Sequence, residues 1–126
     1  SLNAGEERAS IKHVDMGDVG SWGTPIVSPT RLKVLEYTFA DAEFDDKPTL
    51  FVVDGRFRIN CALAFSYRAK ARDLLFIDDY RSRAHYWMCE AFLMPLRFLD
   101  RGCLMNLKHK DQRPSIDLLT SDLSAR

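Results

Sequence analysis

Two short stretches of the chain are apolar without interruption. Thr49–Val53 (TLFVV) ends at Asp54-Gly55, and Leu74–Ile77 (LLFI) ends at Asp78-Asp79-Tyr80. Both favour β structure and lack the polar alternation of a half-exposed strand, so the pattern predicts strands buried on both faces. Between them Phe57, Cys61, Phe65 and Ala69 recur every four residues, with alanines interspersed. That spacing predicts an amphipathic helix lying close against a sheet. The Pro48–Ile77 segment has the length and pattern of one right-handed crossover, which makes its two strands adjacent and parallel.

The flanking pattern is weaker. Ile11–Met16 (IKHVDM) predicts a short strand, followed by a loop over Gly17–Pro29 that holds Gly17, Gly20, Gly23 and Pro25. Ser28-Pro29 reads as a helix cap with proline in the first turn, and Leu32, Leu35 and Phe39 carry the helix on to Ala40. Asp41–Pro48 is acidic and turn-like. A helix is expected from Ser82 to Leu93, ended or kinked by Pro95. Leu96–Leu99 and Cys103–His109 form a predicted hairpin over Asp100-Arg101-Gly102, where glycine suits the positive φ of a tight turn. Ser115–Leu123 carries a faint helical signal. The expected organisation is a flexible polar arm over 1–10, a single α/β domain over 11–110, and a tail or short helix over 111–126.

Composition narrows the class. A chain of 126 residues, 46% hydrophobic and 29% charged, is one soluble domain's worth. Eight Phe, four Tyr and two Trp are too many large apolar groups for a disordered chain. Eighteen basic residues balance eighteen acidic ones, so there is no bulk field to attract nucleic acid or an anionic membrane, and neither partner is expected. No run approaches the roughly 18–20 apolar residues of a membrane span, and the N-terminus is not a signal peptide. Cys61, Cys89 and Cys103 lack CxxC spacing and lie in apolar stretches, which reads as buried free thiols in a reducing cytoplasm.

In a parallel α/β sheet, ligands sit beyond the carboxyl ends of the strands. That rule selects Asp15, then Asp54 with Arg56 and Arg58, then Asp78, Asp79 and Tyr80. Asp54, Asp78 and Asp79 could converge on Mg²⁺, because hard cations take several carboxylate oxygens. The plainer alternative is that they cap the helices that follow. Arg56 and Arg58 could bind an anionic substrate through their guanidinium forks, or simply pair with these acids. His85, one turn past the second strand end, could serve as a general base or be structural. Trp22 lies on a loop that could cover a ligand, and could equally be packing. A dehalogenase-type phosphatase needs Asp two residues after its first strand acid, and Arg56 stands there.

Phe51–Arg58 (FVVDGRFR) followed by Leu75–Tyr80 (LFIDDY) resembles the class I S-adenosylmethionine-dependent methyltransferases. More narrowly it resembles a bacterial, uncharacterised methyltransferase-like group in which a "VDGRFR" strand end precedes an "hhDDY" one. His13–Gly17 and the Trp22–Pro25 loop fit the same group, and the resemblance covers roughly Ile11 to Lys110. It implies a Rossmann-like, three-layer α/β/α sheet, mostly parallel with a C-terminal antiparallel hairpin. It also implies an N-terminally truncated fold, because the glycine-rich strand–loop–helix for the cofactor is not visible; Gly17, Gly20 and Gly23 give GxxGxxG instead. The implied cofactor is S-adenosylmethionine, near Asp15, Trp22 and Asp54, with Mg²⁺ at Asp54, Asp78 and Asp79 as in catechol-type relatives. Catalysis would fall to Asp54, Arg56, Asp78, Asp79 and His85, and a small-molecule substrate to Arg56, Arg58 and Tyr80. The two functions left open are methyl transfer to such a substrate and a non-catalytic α/β module for binding or assembly. Missing strands would leave an apolar edge or face, so a homodimer or higher oligomer is expected.

Overall fold

The structure is a computed structural model, and it describes residues 11–26, 29–40 and 46–121. Helix α1 (Arg31–Thr38) begins at Thr30, whose hydroxyl accepts from the Lys33 N–H at 3.3 Å. The expected cap, Ser28, lies outside the described residues, as do the expected arm at 1–10 and most of the acidic turn at 41–45. Strand β1 (Leu50–Val53), helix α2 (Arg58–Arg68) and strand β2 (Leu74–Ile77) form the expected parallel crossover, with Leu50 opposite Leu74 and Val53 opposite Ile77. A 3₁₀ segment (Ala84–Ala91), strands β3 (Leu93–Leu99) and β4 (Gly102–Leu107), and the short helix α3 (Ile116–Leu119) follow.

The sheet order is β1-β2-β4-β3. Only β1–β2 is parallel; β2–β4 and β4–β3 are antiparallel. The sheet is therefore mixed, not mostly parallel, because the hairpin supplies half its strands. Alternation sorts the side chains into two faces. On one, Leu75, Ile77, Cys103, Met105 and Leu93 are buried with Ile59, Leu63 and Phe65 of α2. The Phe51 ring meets Phe65 edge-on at 4.7 Å, which places it on this face too. On the other, Leu50 is 59% and Val52 64% exposed, Met94 and Leu99 are exposed, and Phe76 and Leu104 are half-buried. The expectation of doubly buried strands fails for β1, and among the described residues no helix layer covers this face. Among the described residues the helices gather around α2, and the domain has two layers, with β1 as an edge strand.

Further departures have local causes. Ile11–Met16 is not a strand: it has no pairing partner among the described residues, and Ile11 is almost fully exposed. The Ser82–Leu93 helix is instead the 3₁₀ segment, and Leu93 already belongs to β3. Pro95 sits inside that strand, which is an edge strand with a register shift between Pro95 and Arg97, where a missing N–H is tolerated. β4 stops at Leu107, short of His109. In the hairpin turn the left-handed residue is Asp100 (φ 55°), not Gly102. Gly102 is needed for another reason. A Cβ there would lie 2.2 Å from the Phe76 ring and 2.9 Å from the Ile77 carbonyl oxygen. At the C-terminus the Ser115 hydroxyl accepts from the Leu118 N–H at 3.1 Å, and Leu119 enters the core. The buried Asn60 amide donates to the carbonyls of Leu119 (2.9 Å) and Ser121 (2.7 Å), locking α3 to α2.

Candidate functional site

A cleft of about 1120 Å³ opens at the carboxyl ends of β1 and β2. Its walls are Ser21, Trp22 and Thr24 from the first loop, Asp54, Gly55, Arg56 and Arg58 after β1, Asp78, Asp79, Arg83 and His85 after β2, and Arg101 from the β3–β4 turn. Because β4 runs antiparallel to β2, with Cys103 opposite Ile77, the turn that carries Arg101 must lie at this end.

The loops that build the cleft are conformationally strained. Trp22 (φ 59°), Phe57 (φ 53°), Asp79 (φ 56°) and Asp100 (φ 55°) are the left-handed non-glycine residues among the described ones, and each lies on a loop bordering this cleft. Such a conformation costs about 1–3 kcal/mol per residue and persists only where surroundings enforce it. For Phe57 they do: its side chain is buried, with an edge contact to the Tyr37 ring at 6.0 Å. Phe57 thereby turns inward while the flanking Arg56 and Arg58 both face the cleft.

Charge in the cleft is held by arginines. Arg58 approaches Asp54 Oδ1 at 3.4 Å and Asp79 Oδ2 at 3.3 Å, and donates to the backbone carbonyls of Gly55 and Asp78, each at 2.9 Å. Arg101 reaches Asp78 at 3.9 Å and Asp79 at 3.5 Å, and Arg83 reaches Asp79 at 3.9 Å. Carboxylates this close repel one another unless positive charge sits between them, and the guanidinium groups supply it. The helix-cap alternative is overturned: α2 and the 3₁₀ segment begin at Phe57 and Arg83, without a side-chain cap. Arg56 stands apart. Its Nε donates to the Trp22 carbonyl at 2.6 Å, and it has no carboxylate partner among the described residues.

The remaining expected residues divide. His85 lines the cleft, is exposed, and stacks edge-on against Tyr86 at 4.6 Å. Trp22 lines it with its indole 90% exposed. Tyr80 is not brought there: it is buried, and its hydroxyl donates to Glu90. Burial first, and then the Glu90 carboxylate, raise its phenol far above the ordinary range. Asp15 also lies off the cleft wall, accepting from the Gly17 N–H at 2.9 Å. Arg83 and Arg101 were not indicated by the strand-end rule; the hairpin topology was the signal that could have found Arg101. Behind Arg56, a second cavity of about 200 Å³ is bounded by Tyr37, Phe51, Val53 and Cys61. Burial pushes the Cys61 thiol up to about 12, so it stays protonated and is no nucleophile.

The fold is similar to the crystal structure of a methyltransferase-like protein from Silicibacter pomeroyi DSS-3, with a TM-score of 0.67 and 29% sequence identity. The similarity covers 86% of this chain and 59% of that one, so the chain spans about three fifths of its neighbour's length. The fold is thus methyltransferase-like. No protein-family model and no curated protein matches the chain. No helix among the described residues is long and apolar enough to cross a membrane.

Proposed function

We propose that this chain takes part in S-adenosylmethionine-dependent methyl transfer to a small-molecule acceptor held in the strand-end cleft, and that it belongs to the bacterial "VDGRFR" group. The observation that carries the reading is the position of the cleft: it lies at the carboxyl ends of the parallel strands of a methyltransferase-like fold. The residues present fit an adenosine group. The exposed Trp22 indole offers a face for the adenine, and the Asp54 carboxylate, 62% exposed, can accept from ribose hydroxyls. When bound, the cofactor supplies an electrophilic methyl group. His85, on the cleft wall, would take a proton from the acceptor. Mg²⁺ does not fit: among the described residues no three potential ligands are grouped to hold a metal, and the three aspartates already face arginines. The free, buried Cys89 and Cys103 and the half-buried Cys61 accord with a reducing, cytoplasmic setting.

Titrating S-adenosylhomocysteine by calorimetry tests this reading. Binding weaker than about 100 μM is expected, because a cofactor held without a glycine-rich loop forgoes several hydrogen bonds of about 1–3 kcal/mol each. Asp54→Asn should weaken it further.

A second reading, an assembly module, is favoured by an apolar face of the sheet that the described residues leave partly exposed. A second copy is the proposed occupant. A two-fold axis would set the face of Leu50, Val52, Phe76, Leu104 and Met94 against the same face of the second copy, and the chain's zero net charge opposes no such pairing. Burying it in two copies, with its rim, removes on the order of 1,000 Å², the lower bound for a specific interface. Sedimentation should show a dimer at tens of micromolar, as an order of magnitude, that Val52→Lys converts to monomer; a parent monomer would dispose of this reading.

A further inference from the structure

Among the described residues four arginines line the cleft but only three aspartates, an excess of one positive charge. Arg58, Arg83 and Arg101 all sit within 4 Å of those aspartates. The surplus is therefore localised, and it is Arg56. This side chain is not loose. Its Nε is fixed on the Trp22 carbonyl at 2.6 Å, across 34 residues of sequence. That one bond orients the guanidinium plane and leaves both terminal nitrogens without a carboxylate among the described residues. Left-handed backbone marks both ends of this arrangement, at Trp22 itself (φ 59°) and at Phe57 beside Arg56 (φ 53°). A guanidinium held at Nε on the wall of a polar cleft, with its terminal nitrogens carrying no carboxylate among the described residues, matches the two oxygens of a carboxylate or phosphate.

We propose that Arg56 is the anchor for an oxyanion, so that the acceptor in the cleft is a small molecule bearing a carboxylate or phosphate. The proposal rests on the cleft being an acceptor site, but its test reads anion binding directly, with no cofactor present. Failure of the anion test leaves the S-adenosylhomocysteine titration intact, and failure of that titration leaves Arg56 as an oxyanion site.

The probes are inorganic phosphate and malonate, each compared with sodium chloride at matched ionic strength. At about 20 mM probe and a Kd of about 1 mM, the melting temperature of the parent should rise by about 5 °C with at least one of them. Arg56→Gln should abolish the rise. Arg31→Gln, on the exposed Arg31–Asp117 pair outside the cleft lining, should keep it. Should Arg56→Gln fail to fold, Arg56→Lys decides, because lysine keeps the charge and loses the fork: the affinity should fall at least about tenfold. No rise with either probe in the parent, or an undiminished rise in the Arg56 variants, overturns the proposal.

Discussion

At the amino ends of β1 and β2, a single carboxylate is wholly enclosed. Asp73 is 0% exposed and accepts from the backbone N–H groups of Thr49 and Lys70, each at 2.9 Å, while the Asn106 amide donates to its carbonyl at 2.7 Å. At the carboxyl ends of the same strands, three carboxylates stay partly exposed, and their contacts with arginines run from 3.3 to 3.9 Å. Among the described residues, the loops there hold the non-glycine residues in the left-handed region, and those at the amino ends hold none. One end is saturated with short hydrogen bonds and the other is charged, open and strained. The first arrangement stabilises the crossover, and the second leaves groups available to a ligand.

The sharpest way to break this contrast is to mutate the enclosed acid. Asp73→Ala leaves two backbone donors without their acceptor and should cost about 2–4 kcal/mol in urea unfolding. A loss below about 0.5 kcal/mol, the scale of surface substitutions, would show that the amino end is no more structural than the cleft.

The cleft end has one tightly packed point, and it gives the next largest effect. Gly102→Ala drives a methyl group into the Phe76 ring and the Ile77 carbonyl, at an expected cost of about 1–3 kcal/mol. Adding Phe76→Leu should recover part of the loss, because the ring contact is relieved while the carbonyl contact remains.

Titration extends the comparison to the layer beneath. Burial raises Cys61 and Cys89 from the ordinary 9.0 to about 12 and Cys103 to about 11. A thiol with a raised folded value holds its proton longer in the native state than in the unfolded one. Its contribution to stability is intact below pH 9.0, erodes as pH rises above it, and is gone beyond the folded values of about 11 to 12. Urea midpoints should therefore fall continuously as the pH rises from 9.0 toward about 11. Constant midpoints would mean that the thiols are not enclosed.

Much of the layout was legible in the sequence, for reasons that the two ends make plain. TLFVV and LLFI declare strands by composition, and the four-residue recurrence from Phe57 to Ala69 declares the helix between them, so the crossover and the position of Asp54, Arg56, Arg58, Asp78 and Asp79 at its carboxyl end followed. Composition says nothing about neighbours. Leu50 and Val52 read as doubly buried, but burial on the outer face depends on a layer absent from the described residues. Pro95 read as a helix terminator, since its tolerance in an edge strand depends on the pairing of β3. Tyr80 read as a strand-end site residue, but only packing shows its hydroxyl turned to Glu90. Arg101 was missed because its place depends on the direction of β4.

The smallest effects belong to the open end. Asp54→Asn should shift stability by no more than about 0.5 kcal/mol, as for an exposed ion pair. Added millimolar Mg²⁺, on the order of physiological levels, should leave the melting temperature unchanged, because the arginines already balance the aspartates. A rise with Mg²⁺ that disappears in Asp78→Asn would replace the arginine account with a metal one.

The most direct measurement is calorimetric titration of S-adenosylhomocysteine into the parent, Asp54→Asn and Asp73→Asn proteins at the same folded concentration. Weak, saturable binding in the parent and in Asp73→Asn, weakened further in Asp54→Asn, is the expected result and assigns the ligand to the carboxyl end of the sheet. No heat in the parent up to millimolar ligand, about the weakest affinity such a titration reads, or equal binding in all three proteins, would contradict it.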